Sequence, residues 1–307
     1  MSASLIDKFA TKECKLSTQI DPLQDLLNAL DISEVAGEAD TFEGPSQWMP
    51  HGRVFGGQVL AQALIAAQRT IGDRPVHSLH GYFLRAGDIS LPITFKVDRL
   101  RDGRSFSTRR VQAFQKGEAM FSMIASFQVV GPGIDHHDMM PAGITPPEAL
   151  PSAYDILGEH DHPMAQYWAK ARPFDIRHVD GNVYLPSDIT RVAHQATWFR
   201  ANREMPDDPS VHRAAIAYAS DYSILEPIFR RHGLTWAHEG LSEASLDHAM
   251  WFHRDARADQ WLLYVTESPS AQGGRGLSTG RIFTREGQLI ATVAQEGMIR
   301  IPEIGRN

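Results

Sequence analysis

Gly56-Gly57-Gln58-Val59-Leu60-Ala61-Gln62-Ala63-Leu64-Ile65-Ala66-Ala67 is the stretch on which the fold turns. Val59, Leu60, Ala63, Leu64 and Ala67 recur at the spacing of one helix face, and a face so rich in small residues predicts a deeply buried helix. Four strand-like segments follow, at 78–85, 93–101, 105–115 and 119–130, with Asp102-Gly103 and Lys116-Gly117 as hairpin turns. One helix followed by an antiparallel meander is therefore expected. Upstream, Leu23, Leu26, Leu27 and Leu30 predict a short amphipathic helix over 21–32, and residues 34–43 read as a first strand.

The second half repeats the order. A strand at 191–200 precedes a small-residue helix from Pro209 to about Leu225, for which Asp208 and Pro209 supply the cap and first position. Strands are expected at 245–254, 261–267, 276–285 and 288–301. Ser78-Leu79-His80-Gly81-Tyr82-Phe83-Leu84-Arg85 resembles the segment from Ser245 to Arg254, and both follow the helix. The shared order of elements is the better sign of duplication. The expected class is α+β, with a first unit over 1–130, a second over 189–307, and between them a proline-punctuated connector, 131–188, crossing the surface.

Composition narrows the function. Of 307 residues 42% are hydrophobic and 22% charged, as in soluble globular chains. A net charge of −7 argues against a nucleic-acid partner. The single cysteine, Cys14, excludes an intramolecular disulfide or a thiolate metal cage and is read as inert. No apolar run is long enough to span a bilayer, Asp7 and Lys8 oppose a signal peptide, and the end at Ile304-Gly305-Arg306-Asn307 is not a peroxisomal address. A cytoplasmic protein without membrane partner is expected.

Asp221 is the most informative residue, because Ala214 to Leu225 is otherwise apolar and a carboxylate there needs partners. It lies either on an exposed stripe or near the helix end, or it is a buried base in a cleft. Strict alternation points Ser245 and Asp247 to one face and Leu246 and His248 to the other, so Ser245 can face the helix. Gln295 interrupts the last strand with an amide. A strand serine is usually a packing residue, and such a glutamine is usually an edge or surface group. Together, though, a carboxylate to take a proton and a hydroxyl and an amide to hold a water would suit hydrolysis of an electrophilic thioester without a covalent nucleophile.

Six segments carry a resemblance: 53–58, 77–85, 100–106, 218–221, 247–254 and 295–297. In this order, across roughly residues 20 to 302, they resemble the type II acyl-CoA thioesterases. The resemblance implies a double hot-dog, two tandem units each with an antiparallel sheet wrapped around a long helix. It also implies acyl-CoA as substrate and a catalytic set of Asp221, Ser245 and Gln295, with serine where family members often carry threonine. The first helix has only Gln58, Gln62 and Gln68 and no aspartate, so one half is expected to be catalytic. Gly56, Gly57, His80 and Arg275 are candidates for substrate binding; Arg109, Arg110 and Arg281 are alternative partners for CoA phosphates.

Competing readings are weaker. Gly276-Leu277-Ser278-Thr279-Gly280 matches a nucleophile elbow, but no helix is expected after it and no histidine follows His253. His136-His137-Asp138 and Glu159-His160-Asp161-His162 fit no strong metal spacing, so no metal and no cofactor are expected. A hot-dog hydratase, with His51 as its histidine, and a non-catalytic acyl-CoA binder are the alternatives. Self-association into a homo-oligomer is expected, because hot-dog sheets commonly pair along open edges.

Overall fold

The computed structural model describes residues 21–186 and 190–302. Cys14, the N-terminal charges, the chain end at 304–307 and the expected boundary at residue 188 lie outside the described residues. The first unit runs α1 (Pro22–Leu30), β1 (Ser33–Glu34), β2 (Thr41–Gly44), α2 (Gly56–Arg69), β3 (Val76–Phe83), β4 (Ile93–Asp102), β5 (Phe106–Gln115) and β6 (Glu118–Gln128). Residues 34–43, read as one strand, are two short ones flanking a turn. Positive φ at Gly37 and Asp40 breaks them apart.

The stretch read as a connector is not wholly irregular. It carries α3 (Ala153–Leu157), α4 (Pro163–Gln166) and β7 (Phe174–His178), and β7 is the outermost strand of the second unit. That unit continues with β8 (His194–Ala201), α5 (Pro209–Ser220), α6 (Glu226–His232), β9 (Ser242–Ser245), β10 (Asp247–Phe252), β11 (Leu262–Gln272), β12 (Arg275–Thr284) and β13 (Leu289–Arg300). The helix expected to reach Leu225 stops at Ser220, with Asp221 as its C-cap, and a second short helix follows.

One antiparallel sheet joins both units, in the order β1-β2-β4-β5-β6-β3-β10-β13-β12-β11-β8-β7. The seam is β3 against β10, with Leu79 opposite Met250 and Gly81 opposite His248. These are the two segments whose sequences resemble each other, so equivalent strands of the copies pair directly. Leu79 and Met250 are fully buried. The two small-residue helices, α2 and α5, pack on each other inside the curved sheet. Close approach needs glycine at Gly57, where a β-carbon would strike the Tyr218 carbonyl oxygen. Among the described residues no helix is long and apolar enough to cross a membrane.

Candidate functional site

Asp208 starts α5 by accepting the Ser210 N–H at 2.8 Å, and Pro209 fills the first position. The helix ends at Asp221 between Tyr218 and Tyr222, whose rings anchor it. Phe55, just before α2, stacks on Tyr222 at 4.7 Å and meets Tyr218 edge-on at 5.0 Å. The Arg172 guanidinium covers the Tyr222 ring at 4.5 Å. Aromatic packing from both units thus sets the place of the carboxylate.

Ser245 ends β9 opposite Gly297, whereas Ala249 stands opposite Ala294. Three residues, Leu246 to His248, therefore face two, Gln295 and Glu296, and the strand bulges. The Asp247 carboxylate satisfies the disturbed ladder by accepting the Glu296 N–H at 2.7 Å. The bulge reverses the alternation. Ser245 and His248, expected on opposite faces of a regular strand, both point inward, and His248 has no exposed surface.

The acid, the hydroxyl and the amide meet. Ser245 Oγ donates to Asp221 Oδ1 at 3.0 Å; Gln295 Nε2 donates to the same oxygen at 2.8 Å and to Ser245 Oγ at 2.9 Å. Gln295 is 1% exposed, and Asp221 and Ser245 are partly buried. Behind the amide, Gln295 Oε1 is bonded to His248 Nδ1, and His248 Nε2 lies 3.0 Å from Ser220 Oγ. Burial raises the Asp221 carboxyl above its ordinary value, against the nearby His248 imidazole, the hydrogen bonds from Gln295 and Ser245 and the facing backbone amide of Gly57. Burial lowers the His248 imidazole, against the Asp221 charge and the hydrogen bond to Gln295.

The first unit supplies the other wall. Asp221 Oδ2 lies against Gly56, close enough that a β-carbon there would stand 2.7 Å from it. Phe55, at the head of α2, makes no side-chain cap, so the first amides of the helix have no side-chain partner within their own unit. The Gly57 N–H faces the Asp221 carboxylate instead, and the positive end of the helix favours negative charge there. Glu243, two residues before Ser245 on β9, is pushed up to about 7 by burial and by the Asp221 charge, against the Arg53 guanidinium.

Two of the other substrate-binding candidates are elsewhere. His80 is on the outer face of the sheet, edge-on to the Trp251 ring at 5.0 Å, and Arg275 is exposed and paired with Glu296 at 3.0 Å. Among the arginines weighed for phosphate contact, Arg109 is 1% exposed and spent on Thr70 and Asp102, while Arg110 pairs with Asp98 and Arg281 with Asp138. Ser278 sits in the middle of β12, which continues to Thr284, so it is at no strand-to-helix turn. His51 is exposed and accepts the Arg53 N–H. His162 caps α4, and among the described residues no cluster of histidine and carboxylates could hold a metal. Sequence reading missed His248, Ser220 and Glu243. Alternation hid the first, although its parity with buried Met250 was a signal.

Residues 180–298 match the acyl-CoA thioesterase family, and residues 44–128 match the acyl-CoA thioesterase N-terminal domain. Acyl-CoA thioesterase 2 of Haemophilus influenzae is 38% identical over 291 residues, 92% of this chain and 99% of the relative. Human acyl-coenzyme A thioesterase 8 is 38% identical over 307 residues, 94% of each chain. The crystal structure of an acyl-CoA thioesterase II from Mycobacterium marinum superposes with a TM-score of 0.74 at 43% identity, covering 90% of this chain and 98% of the other. A conserved protein of Alicyclobacillus acidocaldarius described as having a hot dog fold, 17% identical, reaches 0.72 over 90% of this chain and 98% of its own, a likeness of fold alone. The architecture is the tandem double hot-dog.

Proposed function

The chain belongs to the acyl-CoA thioesterase family and is an acyl-CoA thioester hydrolase, and from that premise we propose that Asp221, Ser245 and Gln295 carry the reaction. The observation that supports this most is the convergence of Ser245 Oγ and Gln295 Nε2 on one Asp221 oxygen, at 3.0 and 2.8 Å. In the proposed step Ser245 and Gln295 orient a water, Asp221 removes its proton, and the resulting hydroxide attacks the thioester carbonyl carbon. The carbonyl electrons collect on oxygen beside the leading amides of α2, where the Gly57 N–H would stabilise them. Collapse breaks the C–S bond, and the CoA thiolate takes up the proton that Asp221 holds. Free acid and CoA result, with no covalent enzyme intermediate.

A carboxyl raised by burial fits a general base, which works best with its pKa moved toward the working pH. Within the same proposal the protein self-associates, supported by exposed Tyr82, Ile124 and Trp251 on the outer face of the seam strands and their neighbour. Sedimentation checks that part. The test of the mechanism is thiol release from short, medium and long acyl-CoAs by the wild type and by Asp221→Asn. Turnover should fall by about a hundredfold or more; an unchanged rate removes Asp221 from the reaction.

A further inference from the structure

His248 and Ser220 stand behind Gln295, and neither makes a hydrogen bond to Asp221 or Ser245. We infer that His248 is a positioning residue: its Nδ1–H fixes which way the Gln295 amide points, and Ser220 holds the ring in that tautomer. The inference rests on the roles proposed for Asp221, Ser245 and Gln295.

An amide end has two faces of opposite sense, a carbonyl that only accepts and an NH2 that only donates. Both hydrogens of Gln295 Nε2 are used in front, toward Asp221 Oδ1 at 2.8 Å and Ser245 Oγ at 2.9 Å. A flipped amide would set Oε1 against an ionised carboxylate, which repels it. Once Asp221 has taken the water's proton, however, its O–H can donate to a flipped Oε1, and the arrangement would be trapped with the base silenced. A donor fixed behind the amide prevents this. His248 Nδ1 is that donor, bonded to Gln295 Oε1 with the ring fully buried.

A neutral imidazole carries one proton, and which nitrogen holds it depends on the partner of the other. Here the other nitrogen, Nε2, faces Ser220 Oγ at 3.0 Å. Ser220 is fully buried near the end of α5, and its hydroxyl has two acceptors in reach, Nε2 and the Ala217 carbonyl at 2.8 Å. With Nδ1–H committed to Gln295, Nε2 is an acceptor and the Ser220 O–H turns to it. The path from Ser220 through His248 and Gln295 to Asp221 starts and ends on neighbouring residues of one helix end, so the loop closes on itself and has little freedom to rotate. The strand bulge makes it possible, since without it Ser245 and His248 would point to opposite faces.

The test joins spectroscopy to kinetics. In 15N-histidine-labelled protein, the His248 signal, assigned by its loss in His248→Asn, should show the proton on Nδ1, and Ser220→Ala should shift it toward Nε2. His248→Leu should lower kcat by about a hundredfold with KM nearly unchanged, the cost of misplacing a reacting group. His248→Asn, whose amide can donate from the Nδ1 position, should recover most of that loss. A proton found on Nε2 in the wild type, or full turnover in His248→Leu, overturns the inference; should the leucine variant not fold, the wild-type and Ser220→Ala spectra decide. Asp221→Asn is run alongside. If it retains full activity the proposed site fails, whereas if it is crippled while His248→Leu is not, only the role of His248 fails.

Discussion

Asp221 Oδ2 lies 2.7 Å from the point where a β-carbon on Gly56 would stand, so the second unit's carboxylate and the first unit's helix share one space. The copy without an acidic residue in its helix is therefore part of the candidate site. Its contribution is a helix start that presents backbone instead of side chain.

A methyl group at that position is the most local test. In Gly56→Ala the new carbon would crowd Asp221 Oδ2 and also the Phe83 ring, at 3.1 and 3.2 Å, so the carboxylate has to move. Turnover should drop by at least about tenfold, because small displacements of a reacting group are costly. Thermal unfolding should show a loss of about 1–3 kcal/mol, the range for overpacking. Full activity in this variant would mean that the carboxylate has room the structure does not show.

The pH dependence follows from the Asp221 environment. A base acts only when ionised, and burial raises this carboxyl above its reference of 3.8. kcat/KM should fall as pH drops through a midpoint above that value, and Asp221→Asn should lack the limb. For stability the sign is opposite. A group whose pKa is raised by folding stabilises fully below its unfolded pKa and loses that contribution as pH rises through the folded one. Asp221→Asn should therefore melt higher than the wild type at neutral pH and gain least near the unfolded carboxylate value of about 3.9.

Glu243 adds a second titration beside the first. Pushed up to about 7, it becomes negative near neutral pH, next to Asp221. Part of that rise comes from the Asp221 charge, so Asp221→Asn should bring the Glu243 titration, followed by 13C NMR, to lower pH. Glu243→Gln should stabilise the protein most above pH 7, where the charge is fully formed, and little below its reference of 4.5. A Glu243 titration that stays in place would mean the two carboxyls do not sense each other.

Ser278 separates water attack from a covalent nucleophile. Its hydroxyl is fully buried in β12, directly across from Gln295 in the ladder, and forms no hydrogen bond among the described residues. Ser278→Ala should keep turnover and change stability by less than about 1 kcal/mol, the scale of a single hydroxyl. Loss of activity together with an acylated wild-type enzyme on rapid quenching would restore the elbow reading.

Much of the fold was readable because its signals are local. The 3.6-residue period of 56–67 and of the helix after Pro209, and the turn residues between strands, named one helix and one meander in each half. Asp221 stood out for a related reason, as a charge among apolar neighbours. The end of α5 at Asp221 was not readable, because Tyr222, Ile224 and Leu225 continue an apolar pattern after the backbone has left the helix. Likewise β7 looked like connector, since it is a short edge strand in a proline-punctuated stretch.

The amino-acid sequence alone determined that two similar units exist, what each contains, and which three polar side chains interrupt the second unit's apolar elements. Tertiary structure decided where those side chains point. Whether Ser245 and His248 share a face depends on a one-residue offset against β13, some fifty positions along the chain, and no period within 245–252 encodes it. The outward placement of His80 and Arg275, the burial of Arg109 and the approach of Gly56 to Asp221 are likewise settled by pairing partners distant in sequence. Periodicity specifies the face a residue shares with its near neighbours; which face turns inward, and what it meets there, is set by contacts between segments that only folding brings together.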